Sequence, residues 1–137
     1  MNHYVFSGLN GQSQWNKVAA LNSEQAGAVE EHIMTALSHV LGVSESDIRS
    51  KRRYRVLVDA RHIYCALMRR VSLLSLADIG RTLSRDHSTV IHAIKSHANK
   101  VSNDPAYAMA YAEVIDHINK SIELKNVKDE DEDTLDS

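Results

Sequence analysis

The chain has 137 residues, of which 43% are hydrophobic and 25% charged, which fits one soluble domain with flanking segments and excludes a large multidomain enzyme. With one proline, five glycines and seven aromatic residues, the sequence lacks the turn-forming and aromatic residues that all-β sandwiches and barrels use. The formal net charge is only −2. These properties predict an all-α fold.

The small net charge conceals a strong separation of charge along the chain. Residues 51–100 contain eleven Lys and Arg against three Asp, a net charge of +8. Residues 1–50 carry −3 and residues 126–137 carry −5. A basic segment between acidic ends is typical of a protein that binds a polyanion such as a nucleic acid.

Membrane, secretion and disulfide signals are absent from the sequence. No apolar run approaches the roughly 18 residues of a membrane span, and the N-terminus does not resemble a signal peptide. Cys65 is the single cysteine, which excludes an internal disulfide and a cysteine metal cage. We therefore expect a cytoplasmic protein without a membrane partner.

The N-terminal third contains an extension and then a helix. Residues 1–22 show no periodicity and are predicted to be flexible, with Tyr4 and Trp15 as the candidate contact residues. An amphipathic helix is predicted from Ser23 to Gly42, because apolar residues recur three and four positions apart and glycine favours a helix end. The apolar face consists of Val29, Ile33, Ala36, Leu37, Val40 and Leu41.

The middle of the chain is predicted to contain a short helical turn and a longer helix. Ser44 opens the turn, and Ile48 is its apolar anchor. Asp59 is placed to cap the longer helix, which is predicted from Ala60 to about Val71.

Two further helices joined by a tight turn follow in the sequence. Ser75 and Asp78 have the spacing of a capping box for the first, and Asp86 is placed to cap the second. This arrangement is typical of a helix-turn-helix. The inward side of the second helix is predicted to consist of Val90, Ala93, Ile94 and His97.

The C-terminal part is predicted to contain one helix and a disordered segment. The helix begins near Pro105, since proline favours the first helical position. Residues 124–137 form an acidic tail that has nothing to bury. The folded domain is therefore predicted to span residues 23–123. A further hypothesis is that the tail competes with DNA for the basic segment, in which case its removal tightens DNA binding at low salt.

The second helix of a helix-turn-helix enters the major groove with its N-terminal end, so the candidate base-reading residues lie there. Carboxylate, imidazole and hydroxyl groups can hydrogen-bond to base edges, and a threonine methyl can contact thymine. The four candidates are Asp86, His87, Ser88 and Thr89. Candidate backbone contacts are basic residues that neutralise phosphate. They are Lys51, Arg52, Arg55, Arg61, Arg69, Arg81, Arg85, His92 and Lys95.

Three motifs in register resemble the C-terminal DNA-binding domain of the bacterial replication initiator DnaA. They are SKRRYR at 50–55, SLADIG at 75–80 and RDHSTVIHAIK at 85–95, and the resemblance covers roughly residues 28–122. It implies recognition of DnaA-box-like sites in double-stranded DNA. By position, it assigns the major groove to the four candidates above, the minor groove to Arg53 and a phosphate contact to Arg61. A minor-groove arginine also suits the negative potential of A·T-rich tracts.

The sequence departs from this family pattern in three respects. The turn before Arg85 is one residue shorter than the usual turn with two glycines, and Ser84 stands where a glycine is expected. Ala60 and Ala77 each replace a proline, and the proline replaced by Ala77 can touch a thymine methyl in the family. We therefore expect a shifted preference among DNA boxes.

Catalytic and cofactor signals are missing. The sequence contains neither G-x-x-x-x-G-K-[ST] nor HExxH, and the five-residue spacing of His87, His92 and His97 does not place metal ligands on one helical face. We therefore expect no enzyme activity, no bound nucleotide, metal or other cofactor, and no ATP-driven opening of an origin by this chain alone.

Double-stranded DNA is thus the expected partner, in replication initiation or its control, at the nucleoid. One alternative is a helix-turn-helix transcription regulator, which genome-wide occupancy would place at many promoters. Another is an interaction protein that holds a replication initiator or another replication protein. The features that favour this last alternative are Trp15 and the apolar face of the first helix.

Overall fold

The computed structural model describes the backbone of residues 26–136 and the side chains of residues 27–121. This part of the chain forms six helices and no strand, so the predicted all-α fold is confirmed. The expectations for residues 1–22, and for a helix start at Ser23, lie outside the described residues. The helices are α1 (Ala26–Leu41), α2 (Glu45–Arg49), α3 (Arg55–Val71), α4 (Leu76–Thr82), α5 (His87–Asn103) and α6 (Pro105–Asp136).

Helix α3 is the centre of the fold. It packs against α1, α2, α4 and α5, while α6 packs against α1 and α5. Ile63, Leu67 and Met68 of α3 are fully buried, because apolar residues recur on more than one side of this helix. Leu37 of α1 and Val114 of α6 join the same core. One face of α4 and one face of α5 thus pack on the core, and the opposite faces are exposed to solvent.

Local capping fixes three helix starts as predicted. Ser44, Ser75 and Asp86 each accept a hydrogen bond from the backbone N–H three residues later, at 2.9 to 3.1 Å. Each bond satisfies a donor that has no partner inside its helix. Gly42 ends α1 with a φ of +68°, a conformation that glycine adopts without strain.

The predicted start of α3 is wrong by more than one turn. The helix begins at Arg55 rather than Ala60, so Asp59 lies inside the helix and does not cap it. The N-cap position is Tyr54, whose side chain makes no capping hydrogen bond. Leu57 is only 2% exposed, and this burial extends the apolar face into the extra turn. Tertiary packing, not a capping side chain, therefore stabilises the helix start.

Helix α6 continues to Asp136, so the backbone of residues 124–136, predicted to be disordered, is helical. The sequence after Pro105 contains no glycine or further proline. An acidic composition argues against burial but not against a helix, because Glu, Lys and Leu favour helical backbone. Despite this length, none of the described helices has an apolar stretch that could cross a bilayer.

Candidate nucleic-acid interface

Helices α4 and α5 form the helix-turn-helix, and the turn between them is tight. The backbone N–H groups of Leu83 and Arg85 both donate to the carbonyl of Gly80, at 3.0 and 2.8 Å. Ser84 lies between them with a φ of +56°. A side chain at Gly80 would clash with the carbonyl oxygen of Arg85. The shortened turn is thus built from one residue in the left-handed region and one position that requires glycine.

The carboxylate of Asp86 organises the first turn of α5. Its Oδ1 accepts from the Ser88 hydroxyl at 2.7 Å, the Thr89 N–H at 2.9 Å and the Thr89 hydroxyl at 3.0 Å. These bonds, the one from Ser88 foremost, lower the pKa of Asp86 to about 2. Asp86 is therefore ionised at neutral pH and acts only as an acceptor.

The outward face of α5 carries the residues predicted to read or hold DNA. Val90, Ala93 and His97 are buried on the opposite face, and Ile94 is half-buried. The helix therefore divides into an apolar and a polar side as the sequence predicts. All six predicted DNA contacts in this segment are exposed, namely Asp86, His87, Ser88, Thr89, His92 and Lys95.

Residues 50–54 connect α2 to α3 and are called the basic loop. Lys51, Arg52 and Arg53 are exposed in it. The carbonyl of Ser50 accepts a hydrogen bond from Nη2 of Arg85 at 2.7 Å. The basic loop is thereby attached directly to the turn of the helix-turn-helix.

Arg61, predicted to contact a phosphate, donates hydrogen bonds to backbone carbonyls of the protein. Its residue is 9% exposed. Nε donates to the carbonyl of Ile48 at 2.8 Å, and Nη2 donates to Asp47 and Ser50 at 3.1 and 2.8 Å. These carbonyls lie at the end of α2, and the one of Asp47 also accepts from the N–H and the hydroxyl of the C-cap residue Ser50, at 3.1 and 2.6 Å. These bonds attach Arg61 to the basic loop and to the end of α2, and its phosphate contact stays a prediction.

The basic loop and the start of α5 border one groove of about 590 Å³. This groove brings the predicted minor-groove residue Arg53 beside two of the predicted major-groove residues, Asp86 and Thr89. His87 and Ser88 are exposed on the same turn. Both predicted kinds of DNA-reading group thus lie on one side of the molecule.

Of the nine predicted backbone contacts, four line this groove and five do not. The four are Lys51, Arg61, Arg85 and His92, and the five are Arg52, Arg55, Arg69, Arg81 and Lys95. Arg69 lines a second groove, with Ala98 and Val101 from the C-terminal half of α5. Arg81 is exposed but its guanidinium is paired with Asp78 on the same helix. Neither residue lines the groove between the basic loop and α5.

Sequence reasoning missed an ionic cluster behind this groove. Lys100 donates to Asp59 at 2.7 Å and approaches Nδ1 of His62 at 3.1 Å. Burial, together with the Lys100 charge, lowers the pKa of His62 to about 4, so this imidazole is neutral and can accept. Lys100 and Asp59 are 41 residues apart, and no local spacing in the sequence signals such a pair.

Arg49 was also missed, although it joins three helices. Its guanidinium pairs with Glu30 of α1 and donates to the carbonyl of Thr82 at the end of α4. Arg49 lies in α2, so this side chain ties the helix-turn-helix to the N-terminal half of the fold. A single basic residue at the end of a short helix predicts only an exposed charge.

Comparison with known families matches residues 30–96 to the family described as "Bacterial dnaA protein helix-turn-helix". Among curated proteins, similar chains are chromosomal replication initiator proteins DnaA. The one from Wolbachia pipientis wMel is 34% identical over 89 residues, which cover 64% of this chain and 19% of that protein. The one from Desulfotalea psychrophila is 40% identical over 72 residues, covering 53% and 15%. The one from Methylacidiphilum infernorum is 33% identical over 92 residues, covering 66% and 20%. The chain thus spans about a fifth of the length of these relatives.

Proposed function

Because residues 30–96 of this chain belong to the bacterial DnaA helix-turn-helix family, we propose that the protein binds double-stranded DNA at DnaA-box-like sites. Its role is in replication initiation or the control of initiation, in the cytoplasm at the nucleoid. The observation that carries the proposal is the groove that joins the exposed basic loop to the first turn of α5. In this role the domain binds DNA without a nucleotide or cofactor and catalyses no reaction.

Helix α5 supplies the major-groove contacts in this proposal. Asp86 uses Oδ1 for the helix cap, which leaves Oδ2 to accept from the amino group of cytosine. The Thr89 hydroxyl donates to the same cap, so the Thr89 methyl is held in one orientation for contact with a thymine methyl. The His87 side chain takes no part in these capping bonds, so it can hydrogen-bond to the edge of a purine.

The basic loop supplies the minor-groove contact. Arg53 is exposed and enters the minor groove next to the major-groove segment that α5 occupies. The hydrogen bonds from Arg61 and Arg85 to Ser50 fix the loop relative to α5. This attachment fixes Arg53 relative to α5, and we expect it to favour one spacing between the base pairs that the loop and the helix contact.

Phosphate contacts come from the exposed cations around the groove. They supply affinity that depends on salt but not on sequence. We assign this role to Lys51, Arg52, Arg55, His92 and Lys95. The positive surface is extended by Arg69, Arg81 and Arg85. To contact a phosphate, Arg81 must break its ion pair with Asp78.

An initiator that recognises the same boxes is the second partner in this proposal, encountered on shared DNA. The two proteins would compete for a single box or occupy neighbouring boxes together. A gel-shift titration with one box and with two boxes distinguishes competition from joint occupancy.

The experiment that tests the proposed function compares two duplexes of equal length, one with a DnaA box and one with the box scrambled. Fluorescence anisotropy at two salt concentrations measures both affinities. We expect at least about tenfold tighter binding to the box, with affinity for both duplexes falling as salt rises. Equal affinities would contradict sequence-specific binding, and the absence of binding to either duplex would contradict DNA binding.

A further inference from the structure

The basic loop presents one large aromatic side chain among cations. Tyr54 is 66% exposed. Lys51, Arg52 and Arg53 precede it and Arg55 follows it, and all four are exposed. An aromatic ring surrounded by positive charge is the combination that proteins use to hold unpaired nucleotides, since the ring stacks on a base while the cations contact phosphates.

The Tyr54 side chain contributes no hydrogen bond to the start of α3. Tyr54 occupies the N-cap position of α3, yet it forms no capping hydrogen bond. Ser, Thr, Asp and Asn are preferred at this position because their side chains satisfy a free N–H group. The sequence thus forgoes a stabilising cap at the start of a 17-residue helix and places an exposed ring there instead.

The charges around Tyr54 favour an anion. The first turn of α3 contains no acidic residue, although the positive end of a helix dipole is stabilised by negative charge. Arg55 approaches Asp104 at 3.7 Å with 87% of its side chain exposed, and this is a weak contact. Within the described residues, no ion pair engages Lys51 or Arg53. Arg52 forms an exposed ion pair with Asp47 at 3.6 Å, so a phosphate would mainly neutralise Lys51 and Arg53.

We propose that the basic loop and the start of α3 bind single-stranded DNA, with the Tyr54 ring stacked on an unpaired base. Arg53 and Arg55 hold the phosphates on either side of that base. Every base has a π-face, so this site has little sequence preference. The activity goes beyond the proposed duplex recognition, whose major-groove contacts lie on α5.

A single strand fits this site better than a duplex does. Inside a duplex both faces of each base are already stacked, so the Tyr54 ring finds no free face without opening a base step. The loop lies beside α5 and is attached to its preceding turn through Ser50. Arg53 contacts the minor groove in duplex recognition and a phosphate in this site, so a single strand binds here in place of the duplex and not beside it.

The test measures the affinity of the full chain for a labelled oligothymidylate by fluorescence anisotropy. We expect Tyr54→Ser to weaken binding by about 5- to 100-fold, in line with the loss of one stacked base, and Tyr54→Phe to retain it. Serine is a preferred N-cap residue, so the first variant does not lose binding by unfolding. Met109→Ala is the matched control, because Met109 is 65% exposed on α6 and lies outside the loop.

Photocrosslinking with an oligonucleotide that contains 5-iodouracil locates the contact directly. We expect the crosslinked peptide to contain Tyr54. No binding of oligothymidylate by the unmodified chain, or equal binding by Tyr54→Ser, would overturn the proposal. An equal loss of duplex and single-strand affinity in Tyr54→Ser would also overturn it. Box preference is measured separately, so its failure leaves this site intact.

Discussion

The two oxygens of the Asp86 carboxylate are engaged differently, and we propose base reading only for Oδ2. Oδ1 caps α5 through three hydrogen bonds, and Oδ2 faces no protein donor among the described contacts. The low pKa, about 2, keeps both roles independent of pH in the physiological range. Substitutions at this one position can therefore distinguish folding from base reading.

We predict that Asp86→Asn and Asp86→Ala differ in stability but not in DNA discrimination. Asparagine caps helices about as well as aspartate, so the unfolding free energy of Asp86→Asn should stay within about 0.5 kcal/mol of the parent, whereas alanine should cost about 1 kcal/mol. Both variants should lose roughly 1 to 3 kcal/mol of preference for the box over scrambled duplex. Urea unfolding and anisotropy measure the two effects. Retained box preference in Asp86→Asn would contradict base reading by Asp86.

Arg61, predicted to contact a phosphate, donates three hydrogen bonds to backbone carbonyls, and we infer that it positions the basic loop. A phosphate contact and a buried positioning residue respond differently to mutation. We predict that Arg61→Met destabilises the fold by about 1 to 3 kcal/mol, because the carbonyls of Asp47, Ile48 and Ser50 each lose one hydrogen bond. Asp47 keeps its bonds from Ser50, and Ser50 keeps its bond from Arg85. The salt dependence of DNA binding should stay unchanged in this variant.

Lys95→Ala is the matched control for Arg61→Met. Lys95 is exposed on α5, so its loss should leave urea unfolding unchanged and reduce the slope of log affinity against log salt by about one. If Arg61→Met behaves in the same way as Lys95→Ala, the assignment of Arg61 to the basic loop is wrong.

The turn between α4 and α5 is the element that depends most on backbone conformation. Ser84 has a φ of +56°, which costs an ordinary residue roughly 1 kcal/mol or more. We predict that Ser84→Gly raises the unfolding free energy by about 0.5 to 1 kcal/mol and preserves DNA binding. Gly80→Ala should lower stability by more than about 1 kcal/mol and weaken DNA binding, since the added Cβ meets the Arg85 carbonyl.

Thermal or urea unfolding of these two variants checks the turn. A neutral Gly80→Ala would show that the turn tolerates displacement. A destabilised Ser84→Gly would show that the serine side chain contributes more than the backbone conformation costs.

The elements that could be predicted from the sequence are those with local signals. The caps at Ser44, Ser75 and Asp86, the end of α1 at Gly42 and the apolar face of α5 all follow from residues within one or two turns of each other. The major-groove candidates follow from the same signals, because a cap marks where the recognition helix begins.

The remaining features depend on contacts between distant residues. Aspartate is a preferred helix-capping residue, but the Asp59 carboxylate pairs with Lys100. This pairing exists only because α3 packs against α5. Arg61 likewise finds its carbonyls through the packing of α2 on α3. The local sequence pattern predicts neither the Asp59–Lys100 pair nor the hydrogen bonds of Arg61, because tertiary contacts decide whether a charged side chain is buried.

At the scale of the whole molecule, a buried histidine joins α5 to α6. His97 is 8% exposed, and its Nδ1 lies 2.6 Å from the hydroxyl of Tyr107. The ring also meets Tyr111 edge-on at 4.4 Å between centroids. Burial lowers the pKa of His97 to about 4, so the folded protein keeps this imidazole neutral.

We predict that the protein loses stability on acidification from about pH 6.5 to pH 4. The unfolded chain binds a proton at His97 near pH 6.5, whereas the folded chain binds it only near pH 4. Between these pH values the unfolded state binds more protons than the folded state. The unfolding free energy therefore decreases as the pH is lowered, by roughly 3 kcal/mol for this group. His97→Gln should reduce this dependence in urea unfolding at pH 7, 6 and 5, and an unchanged dependence would contradict the assignment.

We propose that one face of this molecule contacts a major groove and the adjacent minor groove at the same time. Dimethyl sulfate footprinting on a DnaA-box duplex tests it directly, because the reagent methylates guanine N7 in the major groove and adenine N3 in the minor groove. We predict protection of both atoms within about half a helical turn of each other, and loss of only the adenine protection in Arg53→Ala. Protection in a single groove, or equal protection on scrambled duplex, would contradict the account.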